Sequence, residues 1–139
     1  MNSEKLKYYS GIAANIEALK EEIETLYEPV SSPNGHTGEG HSSTPGAPTE
    51  RAAMRIIQLK EMLAEQMEKM LSLREEIETW LITVEDPEIQ AIVRWRYLNL
   101  TRRGIPRTWN DVNLKVYRYS DPDYSRKKLD RYLEREDKE

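Results

Sequence analysis

Between residues 121 and 133 the chain reads DPDYSRKKLDRYL, and its four cations are the residues best suited to chemistry in the sequence. Asp123, Arg126, Lys127, Asp130, Arg131 and Glu134 follow helical i, i+3, i+4 spacing. That spacing predicts that Arg126, Lys127 and Arg131 project together on the face opposite Leu129 and Leu133. Arginine and lysine displayed in this way bind phosphates and base edges. Tyr124, at the start of the same helix and off its apolar stripe, joins them as a candidate contact, as do Arg107 and Thr108 just upstream. Arg102, Arg103 and Lys128 are further candidates for phosphate contact. From Arg94 to Arg131 there are 11 basic and 4 acidic residues, an imbalance that makes the basic character of this region more than a solvated surface.

Other chemistries find no support. With no cysteine there is no disulfide framework, thiol nucleophile or thiolate metal site. His36 and His41 stand five residues apart without a third ligand, so no metal site is expected. The glutamates of KEEIETL (20–26) and REEIETW (74–80) sit beside lysine or arginine on helix faces and read as solvated surface. Neither a glycine-rich phosphate loop nor a nucleophile and base arrangement is present, so the expectation is a protein without enzymatic activity and without a cofactor. Trp80, Trp95 and Trp109 read as core residues rather than stacking platforms.

A formal net charge of -4 conceals two unlike halves. Residues 1–86 hold 16 acidic and 8 basic side chains, whereas residues 87–139 hold 9 acidic and 13 basic. Such asymmetry points to one end that faces nucleic acid. At 37% hydrophobic and 33% charged residues, the chain is lean for a globule and suits solvated helices. No apolar run reaches the roughly 20 residues of a membrane span and no signal-peptide pattern opens the chain, so the expectation is a cytoplasmic protein with no membrane partner.

The elements that must position the basic helix are legible from periodicity. Leu6, Tyr9, Ile12, Ile16, Leu19, Ile23 and Leu26 put one narrow apolar seam on a helix from about Glu4 to Tyr27. Ile56, Leu59, Leu63, Gln66, Met70, Leu73, Ile77, Trp80 and Val84 sustain three-four spacing over a second helix from about Thr49 to Val84, with Gln66 as a polar register element. Residues 28–50, rich in Pro, Gly, Ser and Thr, are expected to form a disordered loop between them. The predicted fold is therefore all-α: a long antiparallel helical hairpin, 1–85, followed by a three-helix domain, 86–139. At about 1.5 Å per residue the first helix covers only the earlier two-thirds of the second, leaving Ile77, Trp80, Leu81 and Val84 to pack on the C-terminal part. Ile57, Met62, Met67 and Leu71 lie off the main seam and offer a surface for a second copy of the chain.

In the C-terminal part, Asp86, Pro87 and Glu88 form a helix start, and Ile89, Ile92, Val93, Tyr97 and Leu100 give that helix its buried face. Gly104 and Pro106 break it. Thr108 with Asp111 then resembles a capping box and opens a short helix carrying Trp109, Val112 and Val116 on one side. Asp121-Pro122-Asp123 repeats the cap chemistry and opens the last helix, about Pro122 to Glu136, with Leu129, Tyr132 and Leu133 facing inward. Two short helices, a tight break and a basic helix have the layout of a helix-turn-helix.

The stretches EDPEIQAIVRWRYLNL and TWNDVNLKVYRYSDPDYSRKKLDRYLE, preceded by a helical hairpin, resemble the small phage-encoded regulators with a sigma-70 region 4-like helix-turn-helix, related to the ArpU and RinA late-gene activators. The resemblance covers about the last 55 residues. It implies a sequence-specific phage or prophage transcriptional regulator in a bacterial host cell, bound to double-stranded DNA and touching host RNA polymerase. By position, Trp109 and Val112 become buried anchors of the supporting helix, and Arg126, Lys127 and Arg131 lie on the recognition helix. Two other readings share the same features: a DNA-recognition subunit of phage packaging machinery, and a coiled-coil adaptor that binds protein.

Overall fold

The computed structural model describes residues 1–27 and 49–138, and in this range every regular element is a helix. Its elements are α1 (Ser3–Tyr27), α2 (Glu50–Thr83), α3 (Pro87–Val93) continuing into a π-helical turn (Arg94–Leu98), α4 (Trp109–Tyr117) and α5 (Tyr124–Lys138). Among the described residues there is no strand, and no helix is long and apolar enough to cross a membrane. Of the expected loop at 28–50, only Thr49 and Glu50 are described, and they belong to the helix. The Thr49 hydroxyl accepts from the Ala52 amide at 3.2 Å and so satisfies one of the free donors of the first turn of α2.

α1 and α2 lie side by side with opposite directions. Lys5 pairs with Glu76 at 2.9 Å, Asn15 Nδ2 donates to Gln66 Oε1 at 3.1 Å and Arg55 reaches Glu22 at 3.5 Å, so positions that rise along one helix fall along the other. The polar residue in the α2 seam thus has a polar partner across it. Leu19 and Ile23 bury against Ile56 and Leu59 at one end of the pair, while Leu6 and Tyr9 meet Ile77 and Leu81 at the other. α1 consequently reaches further than expected: Ile77 is covered by α1, and the portion of α2 left for the C-terminal part starts near Trp80.

A boundary at 85/86 does not coincide with a break in packing. One cluster joins Leu6 and Tyr9 of α1, Ile77, Leu81 and Val84 around the end of α2, and Ile89, Ile92, Val93, Val112, Leu129 and Leu133 of the later helices. Burying leucines such as Leu129 and Leu133 stabilises the fold by roughly 1.5–3 kcal/mol each. Gln90 fastens the α2–α3 corner by donating to the Val84 carbonyl at 2.6 Å. Trp80 ties α2 to α5 through its indole N–H and the Glu136 carboxylate, at 2.8 Å.

The caps behave as their chemistry demands. Asp86 accepts from the Glu88 amide at 2.9 Å, with Pro87 at the first helical position, and Asp121 accepts from the amides of Asp123 and Tyr124 at 2.9 and 3.2 Å. The regular helix after Asp121 starts at Tyr124 rather than Pro122. Between α3 and the loop one expectation is corrected. The Asn99 amide bonds to the Arg94 carbonyl at 2.7 Å, five residues back, which inserts an extra residue into the turn. Everything after Arg94 rotates, so Leu98 is buried beside Tyr97, and Leu100 is only partly covered.

Candidate nucleic-acid interface

α5 is held against α4 by a buried polar pair that sequence patterning does not reveal. Asn113 and Ser125 are both fully buried; the Ser125 hydroxyl donates to Asn113 Oδ1 at 2.6 Å, and Asn113 Nδ2 donates to the Tyr119 carbonyl at 3.0 Å. One side chain of α4 therefore fixes both the intervening turn and the first turn of the basic helix. Arg118 begins that turn with φ 68, a left-handed conformation in which its amide bonds to the Leu114 carbonyl at 3.0 Å and closes α4.

The basic helix does not present Arg126, Lys127 and Arg131 on one flank. Lys127 and Arg131 line a concavity of about 280 Å³ together with Tyr124, Lys128 and Arg135. Arg126 lies on another flank, beside Asp130, where it pairs with Asp123 at 2.9 Å. Helical geometry explains the split, since successive residues are about 100° apart and five residues place Arg126 and Arg131 roughly 140° from each other. Arg135 takes the place of Arg126. Lys127, Arg131 and Arg135 recur every four residues, are all exposed, and make no ion pair among the described residues. The four-residue step is visible in the sequence and was the signal available for Arg135.

Tyr124 is 46% exposed and its ring meets that of Tyr117 edge to face at 5.0 Å, with Tyr119 at 6.4 Å. An aromatic group thus flanks the N-terminal end of the cationic stripe.

The remaining candidates divide by what their side chains already hold. Lys128 donates to Glu88 and lies over the Tyr117 ring at 5.9 Å, while the Tyr117 hydroxyl donates to the same Glu88 oxygen at 3.0 Å. This triad joins α3, α4 and α5. The hydrogen bonds from Lys128 and then Tyr117 hold the Glu88 carboxyl below its ordinary value, and the bond to Glu88 raises Lys128. Burial, and secondly the bond to Glu88, push Tyr117 up to about 12. Lys128 is thereby a structural cation at the rim of the concavity.

Arg107 is likewise engaged: its Nε donates to the Asn99 carbonyl at 3.1 Å, Nη1 pairs with Asp111 at 3.0 Å, and its guanidinium sits 5.1 Å from the Trp95 ring centre. Thr108 caps α4 by accepting from the Asp111 amide at 3.1 Å. Arg96 donates to the Arg107 carbonyl and stacks on Trp109 at 4.7 Å. These groups build the loop that orients α4. Arg102 and Arg103 differ, being exposed in the turn that closes from the Gly104 amide to the Thr101 carbonyl at 2.8 Å. Gly104 has φ +78, the left-handed conformation that glycine adopts without steric cost.

Among the described residues no group of three acidic or histidine side chains is placed to hold a metal ion, and His36 and His41 lie outside the described residues. Of the cations singled out in the sequence, Lys127 and Arg131 on α5 and Arg102 and Arg103 on the turn make no ion pair among the described residues, and Arg135 joins them; Arg107, Thr108 and Lys128 are committed to the scaffold, and Arg126 pairs with Asp123. No family model, curated protein or solved structure matches the chain.

Proposed function

We propose that the chain is a sequence-specific double-stranded DNA-binding regulator of transcription, of the phage type its C-terminal sequence resembles, in which α4 and α5 act as a sigma-70 region 4-like helix-turn-helix and α5 enters the major groove. The carrying observation is the stripe Lys127, Arg131 and Arg135, exposed and without ion pairs among the described residues, on a helix whose opposite side is anchored by Leu129 and Leu133. The rigid Asn113–Ser125 contact supports this reading, since a recognition helix must be held in register by its supporting helix. Arg102 and Arg103 serve as phosphate contacts on the flank. Host RNA polymerase is a second partner under this reading, and the same surface would serve a DNA-recognition subunit of packaging machinery.

Replacing Lys127, Arg131 and Arg135 together by Ala tests the assignment. These side chains are exposed, so helicity and thermal unfolding stay close to those of the unaltered protein while duplex affinity falls at least a hundredfold at moderate salt. Unchanged affinity would refute it.

A protein-binding adaptor is the second reading, favoured by the exposed apolar flank of α2. Ile57, Met67 and Leu71 are 59%, 45% and 64% exposed. Under that reading duplex binding is absent or insensitive to the triple replacement.

A further inference from the structure

The cationic stripe of α5 begins at an aromatic step. Tyr119, in the turn after α4, and Tyr124, the first residue of α5, are each 46% exposed. Their ring centres lie 6.4 Å apart, and Tyr117 of α4 backs both, at 6.1 Å from Tyr119 and 5.0 Å from Tyr124. Apolar side chains exposed singly are ordinary, but rings in contact make one patch that water must wet. Tyr124 also lines the concavity of about 280 Å³ that holds Lys127, Lys128, Arg131 and Arg135. Apolar surface and cations therefore share one hollow.

The patch is held still. The Tyr117 hydroxyl donates to Glu88 at 3.0 Å, and the fully buried Asn113 pins the Tyr119 backbone by donating to its carbonyl at 3.0 Å. Asp121 accepts from the Tyr124 amide at 3.2 Å. Rings placed in advance lose little freedom when a partner covers them, so a small contact is enough to discriminate.

We propose that Tyr124, supported by Tyr119, recognises thymine through its 5-methyl group. The inference rests on the assignment of α5 to the major groove. There the first residues of a recognition helix meet the base edges, which present hydrogen-bond donors, acceptors and one kind of apolar group, the thymine methyl. An aromatic ring at the head of the helix gains by covering that methyl and finds no equivalent on cytosine. The cations of the same hollow hold the neighbouring phosphates, so the charges supply affinity and the ring supplies the preference for thymine.

The experiment uses the full chain and a duplex that it selects from a random pool, with each thymine replaced in turn by uracil. Uracil keeps the pairing and every phosphate and removes the methyl. At the contacted position the thymine duplex binds roughly fourfold tighter than the uracil duplex, the worth of one buried methyl group. In Tyr124→Ala that preference disappears, and in Tyr124→Phe, which keeps the ring, it persists. The comparison is between two duplexes on one protein, so a variant that folds less well weakens both and leaves the preference intact. Selected duplexes that bind equally well with thymine and uracil at every position overturn the proposal and leave the DNA reading standing. A preference that Tyr124→Ala retains does the same, as does one that Tyr124→Phe loses, which assigns the contact to the hydroxyl. If no duplex is bound, both the proposal and the DNA reading fall.

Discussion

Replacing Asn113 by Ala removes a buried side chain that ties α4, the following turn and α5 together. Asn113 and Ser125 are both 0% exposed, so water cannot take over the lost bonds to the Tyr119 carbonyl at 3.0 Å and the Ser125 hydroxyl at 2.6 Å. Each orphaned buried group costs about 1–3 kcal/mol, and the cavity left behind adds to this, giving roughly 3–5 kcal/mol for Asn113→Ala. Against a total stability of about 5–15 kcal/mol that is a large loss. Ser125→Ala strands only Asn113 Oδ1 and costs about 1–3 kcal/mol. Because the double variant no longer leaves a buried hydroxyl without a partner, its cost falls short of the sum by at least about 1 kcal/mol. Urea unfolding followed by circular dichroism, with midpoints compared at constant slope, gives all four corners of the cycle. A cost below about 0.5 kcal/mol for Asn113→Ala, or additivity within that margin, would show that this pair does not fix α5 on α4.

Two further outcomes follow from local geometry. Arg118 closes α4 at φ 68, a conformation costing a non-glycine residue about 1–2 kcal/mol, of which the greater freedom of unfolded glycine returns up to about 1 kcal/mol. Arg118→Gly therefore raises the urea midpoint, and a lower midpoint contradicts the strain. At Glu88 the carboxyl titrates below its ordinary 4.5 because Lys128 and Tyr117 donate to it. The folded value is depressed, so the stabilisation is present above about pH 4.5 and is lost as pH falls through the folded value. The gap in urea midpoint between the unaltered protein and Glu88→Gln should then be open at neutral pH and close in acid; an equal gap at both refutes the triad.

What the sequence discloses is the chemistry of neighbours in the chain. Thr49, Asp86, Thr108 and Asp121 mark helix starts because each accepts from amides two or three residues ahead. The apolar seams place Ile16, Leu19, Leu59 and Ile77 in the core because helical periodicity alone decides which face they share. The π-helical turn at Arg94–Leu98 leaves no such trace, since an extra backbone residue per turn carries no distinctive side chain, and burial passed from Leu100 to Leu98.

The separation of Arg126 from Arg131 was accessible to simple angular arithmetic along a helix. Other placements were not. Lys7, Ser10, Arg96 and Arg126 meet only because α1 reaches the C-terminal helices, a contact between residues far apart in the chain. Arg107 and Lys128 look like surface cations until their partners Asp111 and Glu88 are seen in space.

The dependence of duplex affinity on salt is the most direct measurement of the central claim. Under the proposed DNA-binding function, Lys127, Arg131, Arg135, Arg102 and Arg103 would neutralise about five phosphates, which gives an expected slope of log affinity against log salt of about -4 to -5. With Lys127, Arg131 and Arg135 replaced by Ala the slope shrinks to about -2. A flat dependence for the unaltered protein, or one slope for both proteins, would contradict the account.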